Sequence, residues 1–117
     1  MTSPFLRRVN ESLKEAIADE VSRLTDPGLG FLTITAVDTA PDLRSARVYY
    51  SVLGDENEGD ETERALDRAR AHIRSEIGKR VRLKYLPDLR FEPDRAIEHG
   101  MRIEHLLTEI RQREEIE

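Results

Sequence analysis

Cysteine is absent from all 117 residues, which excludes disulfides, thiol nucleophiles and Cys-based metal sites. Tryptophan is absent as well, and aromatic residues make up only 5% of the chain, so the core must rest on Leu, Ile, Val and Ala. No apolar run approaches the roughly 20 residues that a bilayer-spanning helix needs. No basic n-region and apolar h-region open the chain, so a cytoplasmic protein is expected. His72, His99 and His105 stand apart, without the i,i+4 spacing or acidic partners of a metal site. No nucleophile–base–acid set is present either. No cofactor, no metal and no enzymatic activity are therefore expected. Basic charge is lacking overall: the net charge is −5 and the pI 5.3, which for the chain as a whole argues against a polyanionic partner.

That average conceals a local reversal. Between Arg64 and Arg90, nine cations (Arg64, Arg68, Arg70, Arg74, Lys79, Arg80, Arg82, Lys84 and Arg90) stand against three acids (Asp67, Glu76 and Asp88), an island of +6 in 27 residues. The other 90 residues sum to −11, and six acids crowd into the nine residues from Asp55 to Glu63. The local field decides where a polyanion docks. The plainer reading is a solvated face in a chain that is 37% charged. Against it, so few acids leave little local pairing, and the island spans a helix and the next strand, so its charges can converge in space.

The length suits one domain with a modest core, residues 1–110, followed by a charged tail, 111–117, expected to fray. Residues 4–25 read as a helix: Phe5, Val9, Leu13, Ala16, Ile17, Glu20 and Leu24 recur near helical spacing, with Ser3 as N-cap and Pro4 at the first helical position. Asp26-Pro27-Gly28-Leu29-Gly30 stops it. Residues 31–38 and 45–53 are β-branched and alternating, two strands joined through Pro41 and Asp42 as an antiparallel pair. Residues 54–60 read as an acidic loop and 61–80 as a second helix burying Ala65, Leu66, Ala69, Ile73 and Ile77. A third strand is expected over 81–92, at an edge or bulge because Pro87 interrupts it. A last helix, opened by Pro93 or Asp94, carries Ile97, Met101, Ile103, Leu106, Leu107 and Ile110, with Gly100 a weak point inside it. The order α-β-β-α-β-α, with the second helix as a crossover setting the third strand parallel to the first, predicts an α+β fold of the type II KH-like class, a three-stranded sheet with its helices packed on one face.

Five separated segments carry a family resemblance. Asp26-Pro27 precedes Thr33-Ile34-Thr35-Ala36-Val37, and Asp42 to Ser51 follows as Asp-Leu-Arg-Ser-Ala-Arg-Val-Tyr-Tyr-Ser. Then come Ala69-Arg70-Ala71-His72-Ile73-Arg74, Leu83 to Phe91 with Asp94, and Gly100-Met101-Arg102-Ile103. In this order, over most of residues 7–107, the chain resembles the bacterial ribosome-binding factor A family. The resemblance implies a non-enzymatic ribosome assembly factor. It would bind free 30S small subunits and 16S rRNA, assist late 30S maturation including 16S rRNA 5′-end processing, and leave before translation. The family helix is kinked at an Ala-x-Gly motif that replaces the Gly-x-x-Gly clamp of other KH domains. This chain has Ala69-Arg70-Ala71 there; either the break survives with Ala, or the helix runs straighter.

The candidate RNA-binding residues are Arg7, Arg8, Arg64, Arg68, Arg70, Arg74, Lys79, Arg80, Arg82 and Lys84. Phosphate contacts are expected from Arg70, Arg74, Lys79, Arg80, Arg82 and Lys84, and Glu at both Arg70 and Arg74 is expected to abolish subunit binding without unfolding. On a continuous helix, Arg64, Arg68, Ala71, Ser75 and Gly78 share the face opposite the apolar one, where small side chains would let phosphate approach the backbone. Arg7 and Arg8 oppose the dipole at the start of the first helix, so stability does not explain them. Arg44 and Arg47 flank the hairpin. Of Tyr49 and Tyr50, one belongs in the core and the other could stack on a base, but no patterned platform extends beyond them, so recognition by shape and phosphate is favoured. Gly28-Leu29-Gly30 follows a helix and enters a strand, the reverse of a dinucleotide loop, and reads as a turn. A monomer is expected, with ribosomal proteins and an assembly GTPase as further partners and no membrane association. Two alternatives stay open, a protein-interaction adaptor on the ribosome and a general RNA-binding KH-like module; binding to protein-free rRNA separates the first from the main reading.

Overall fold

Ser3 caps the first helix, α1 (Pro4–Ser22): its Oγ accepts the Leu6 N–H at 3.1 Å, and Pro4 fills a position where no N–H is needed. The computed structural model describes residues 3–54 and 56–95. Along α1, Val9, Leu13, Ala16, Ile17, Glu20 and Val21 form one buried stripe. The helix closes at Ser22, short of Thr25, because the N–H groups of Arg23 and Leu24 bond back to the carbonyls of Glu20 and Val21. Asp26-Pro27-Gly28 then turns the chain, as the sequence predicts.

The strands β1 (Phe31–Thr39) and β2 (Ser45–Leu53) form the expected antiparallel pair. Their register breaks at Thr35: Ile34 faces Tyr50, yet Ala36 faces Tyr49, so one residue bulges. The bulge reverses the parity of β1 and buries Ile34, Val37 and Thr39. Unbroken alternation from Ile34 would have turned the charge of Asp38 into the core. Thr35 Oγ1 donates to Asp94 Oδ2 at 2.6 Å, which ties the bulge to the far end of the sheet.

The second helix, α2 (Glu56–Arg80), begins ahead of the expected residue 61, since Glu58, Asp60 and Glu61 complement the positive end of the helix dipole. It runs unbroken to Arg80 through Ala69-Arg70-Ala71, so of the two courses open at that motif the chain takes the continuous one. The strand β3 (Asp88–Pro93) is shorter than the predicted 81–92. Residues 81–87 form an irregular connection, and Pro87, which lacks an N–H, lies just before the ladder begins.

The sheet order is β1-β2-β3, with β3 parallel to β2. This corrects the expectation of a third strand parallel to the first: β3 runs antiparallel to β1. The crossover helix follows β2, so the parallel unit is β2-α2-β3, the usual outcome for a strand–helix–strand connection. β3 is an edge strand, as a neighbouring proline requires. Both helices lie on one face, where Leu13, Ile17, Val48, Leu66, Ile73 and Ile77 are inaccessible to solvent and share one cluster with Tyr50 and Leu89. The architecture is thus the α+β, KH-like arrangement. The predicted last helix and the 111–117 tail lie outside the described residues.

A charged bridge joins the helices. Arg80 Nη1 donates to Glu20 Oε1 at 2.9 Å and to Asp19 Oδ2 at 2.6 Å, and Glu20 is buried. These bonds, Asp19 first, hold the Arg80 guanidinium above its ordinary pKa. Replacing Arg80 with Met should cost about 2 kcal/mol, because it leaves an acid buried with only Arg23 at 4.0 Å. Glu20→Leu in that background should recover most of the loss; urea unfolding of the single and double variants measures both.

Candidate nucleic-acid interface

The structure sorts the nine cations of the island by what they touch. Arg68 binds Asp26 through Nε and Nη2, with a shortest contact of 3.0 Å, and locks the turn after α1 onto α2. Arg74 donates to the carbonyls of Leu86 at 2.9 Å and Pro87 at 3.2 Å and lies 3.4 Å from Asp88. Arg80 bridges to α1 as above. These three join elements of the fold. Arg70 with Asp67, at 3.5 Å, and Lys79 with Glu76, at 3.0 Å, are exposed i,i+3 pairs of the kind that contributes little and yields easily to a phosphate. Arg64, Arg82, Lys84 and Arg90 make no ion pair with a described residue. Local pairing is therefore greater than the charge count implied: all three acids of the island are engaged, and Asp19, Glu20 and Asp26 are drawn in from outside it. Because Arg74 anchors a loop, Arg70→Glu with Arg74→Glu does not isolate a binding defect.

Two of these four, Arg82 and Lys84, meet Arg8 at one end of the molecule. There the start of α1 meets the connection 81–87 in an open groove of about 440 Å³, lined by Phe5, Val9, Leu43, Val81 and Leu83 and rimmed by Arg8, Arg82 and Lys84, with no carboxylate among the described residues. The first turn of α1 also carries no acid, so the positive end of its dipole adds to the field. Arg44 adds its guanidinium beside this end, 5.5 Å from the ring centre of Tyr85, with Lys84 Nζ at 5.6 Å. A second groove, between α2 and β3, has Arg64, Arg68, Arg70 and Arg90 but also Glu63, Asp67 and Glu92, so its charge is mixed. Arg7 points elsewhere: it lines a groove against β1 with Asn10, Glu11 and Lys14, because successive helical residues diverge by about 100°.

Local structure holds the basic groove in shape. The Arg74 fork fixes the carbonyls of Leu86 and Pro87, and the Val81 N–H bonds to the Ile77 carbonyl at 2.9 Å. Leu86 packs on Gly78 so closely that a Cβ there would sit 3.1 Å from its Cδ2. Gly78 thus seats Leu86 on one side while staying exposed on the other, and Arg68, on the same face of α2, is engaged with Asp26. Across the groove, the Leu43 N–H bonds to the Ala40 carbonyl at 2.8 Å and the Arg44 N–H to Asp42 Oδ1 at 3.1 Å. Leu43 itself has a φ of 63°, a left-handed conformation that costs a branched side chain about 1–2 kcal/mol. A strained residue in a groove wall points to function.

Sequence reasoning missed three residues here: Tyr85, Phe5 as an exposed surface and Leu43. Tyr85 sits in a segment read as a strand, where its exposure is not legible. The alternating Pro41-Asp42-Leu43 turn carries no glycine to mark a positive φ. Of the tyrosines that were singled out, Tyr50 is buried and Tyr49 is half-buried on the sheet face away from the helices.

The fold and its end groove define a KH-like α+β domain with a basic surface that holds no acid among the described residues. Residues 6–107 match the family model described as Ribosome-binding factor A. A Ribosome-binding factor A of Desulfitobacterium hafniense is 47% identical over 109 residues, 92% of this chain and 87% of that one. One of Staphylococcus carnosus is 42% identical over 115 residues, 97% of this chain and all of that one. The chain belongs to the ribosome-binding factor A family. The crystal structure of the Thermus thermophilus protein superposes with a TM-score of 0.71 at 34% identity, over 77% of this chain and 97% of that one. A Thermus thermophilus homology model fitted into the cryo-EM map of a 30S complex gives 0.63 at 37% identity, over 74% of this chain and 91% of that one. The solution structure of a putative ribosome-binding factor A from Thermotoga maritima gives 0.68 at 32%, over 79% and 91%.

Two expectations check the scaffold. Leu43→Gly should be more stable than Leu43→Ala by about 0.5–1 kcal/mol in urea unfolding, since both delete the side chain and only glycine relieves the backbone. The Asp26 carboxylate is held below its ordinary pKa by the Gly28 N–H first and Arg68 second. A depressed folded value means that its contribution is present above the unfolded value and lost as pH falls through the folded one. Wild type should therefore exceed Asp26→Asn in stability at neutral pH, and the gap should close on acidification below about pH 4, read from unfolding midpoints across pH.

Proposed function

We propose that the protein is a non-enzymatic assembly factor that binds the free 30S subunit in the cytoplasm and holds 16S rRNA against the basic end of the domain. The observation that carries this reading is the groove rimmed by Arg8, Arg82 and Lys84 and extended by Arg44, with no acid among the described residues that line it. Guanidinium and ammonium groups with no ion pair to a described residue lose no such pair on meeting phosphate, and their desolvation is offset by counterions released from the RNA. Arg68, Arg74 and Arg80 act indirectly, by holding the elements that present the groove. Arg64, Arg70, Lys79 and Arg90 supply a wider, weaker field along α2 and β3. Membership of the family, and the relative fitted into a 30S complex, favour the small subunit over other polyanions.

Docking of a single KH-like domain on immature rRNA would favour one local RNA fold late in maturation, including the state in which the 16S rRNA 5′ end is processed. The acidic start of α2 faces the same polyanion unfavourably and so restricts the docking orientation.

Co-sedimentation with free small subunits and with complete ribosomes tests the reading. The wild-type protein should pellet with the free subunits. The combined variant Arg8→Glu, Arg82→Glu, Lys84→Glu should bind about 100-fold more weakly and show a flatter salt dependence. Its melting temperature should stay close to wild type, because the three residues are exposed. Undiminished binding by this variant would falsify the proposal.

A further inference from the structure

We infer that the lip of the basic groove is a stacking site for an unpaired nucleotide, so that the RNA segment held there is single-stranded rather than duplex. This rests on the rRNA-binding role proposed above and specifies its ligand. Tyr85 is 44% exposed and Phe5 54%, in a chain with six Phe and Tyr altogether; Phe5 lines the groove, and Tyr85 directly follows Lys84 of its rim. Arg44 and Lys84 lie over the exposed Tyr85 ring, 5.5 and 5.6 Å from its centre, so a nucleotide that reaches the ring meets two phosphate-binding cations with it. Aromatic faces interleaved with cations form the surface that binds single strands, because an unpaired base offers its own face while its phosphate meets the charge. Bases in a duplex are already stacked on one another and have no face to offer.

The platform is also rigid before any ligand arrives. Leu86, the next residue, is seated on Gly78 with its carbonyl fixed by Arg74, and Leu83 packs against the core. The Asp88 N–H donates to the Arg44 carbonyl at 2.9 Å, which draws the β1–β2 turn and its guanidinium alongside the ring. Ordering costs that a mobile loop would impose on binding are thereby reduced. An acidic peptide would use the same cations but has no need of an exposed, pre-set ring.

The test uses full-length protein and a labelled short oligoadenylate, alone and as its duplex with oligouridylate, in anisotropy titrations. The single strand should bind more tightly than the duplex. Tyr85→Leu should weaken single-strand binding about tenfold with an unchanged salt slope, since a stacked base and not a phosphate contact is lost. Tyr85→Phe should remain near wild type, and equal thermal melts would show that both variants fold. Equal affinity for strand and duplex, an unaltered Tyr85→Leu, or displacement of the oligoadenylate by oligoglutamate of equal charge at the same concentration would each overturn the inference. If Tyr85→Leu is unaltered while the triple charge variant loses subunit binding, the stacking site is wrong and the rRNA-binding role stands. If the triple variant binds subunits normally, that role itself fails.

Discussion

Arg74 reaches from the last two turns of α2 to the carbonyl oxygens of Leu86 and Pro87, and the useful end of the domain depends on that reach. Residues 81–87 belong to no helix and no strand, so their backbone polar groups have no ladder to satisfy them. A planar guanidinium presents several fixed donors in a pre-organised fork and can serve two adjacent carbonyls at once. With that connection pinned, Pro87 is buried, β3 enters the sheet at Asp88 beside β2, and Arg82, Lys84 and Tyr85 are left on the outside. Gly78 completes the arrangement by letting Leu86 sit against the helix.

The same chemistry divides the arginines of this chain into two kinds. Arg68, Arg74 and Arg80 have exchanged their electrostatic freedom for tertiary contacts and hold the Asp26 turn, the 81–87 connection and α1 against α2. Arg8, Arg82 and Lys84 have no described acid to neutralise them, and the fold gathers them from two distant segments onto one rim. A polyanion meets only the second kind at full strength. The acidic remainder of the protein is then no obstacle, since what matters is the potential at the docking surface rather than the net charge.

Much of the fold was legible because it is written in local periodicity. The stripe from Val9 to Val21, the buried face of α2, the hairpin and the edge position of β3 all follow from spacing and from proline. Even the Glu20–Arg80 bridge had a trace in the sequence: Glu20 falls on the apolar stripe of its helix, and Arg80 falls on the same side of α2 as Ile73 and Ile77 at about 100° per residue. The bulge at Thr35 had no such trace, since Thr-Ile-Thr-Ala reads as plain alternation and only pairing with Tyr49 and Tyr50 reveals the extra residue. Neither had the left-handed Leu43, which is imposed by the closure of its turn. The direction of β3 relative to β1 was hidden for a similar reason: the sequence shows that a helix separates β2 from β3, but not which strand offers the free edge.

The sequence by itself determined the order of elements, the apolar core and the reversal of charge after Arg64, because these depend on residues close together along the chain. The tertiary structure alone decided which charges remain available. Arg68 finds Asp26 across 42 residues and Arg80 finds Glu20 across 60, and pairings at such separations depend on how helices and strands pack rather than on any local pattern. The basic island was therefore visible in advance, but its working surface, with Arg8 and Tyr85 included and Arg74 turned inward, came into being only when α1, α2 and the edge of the sheet were brought together.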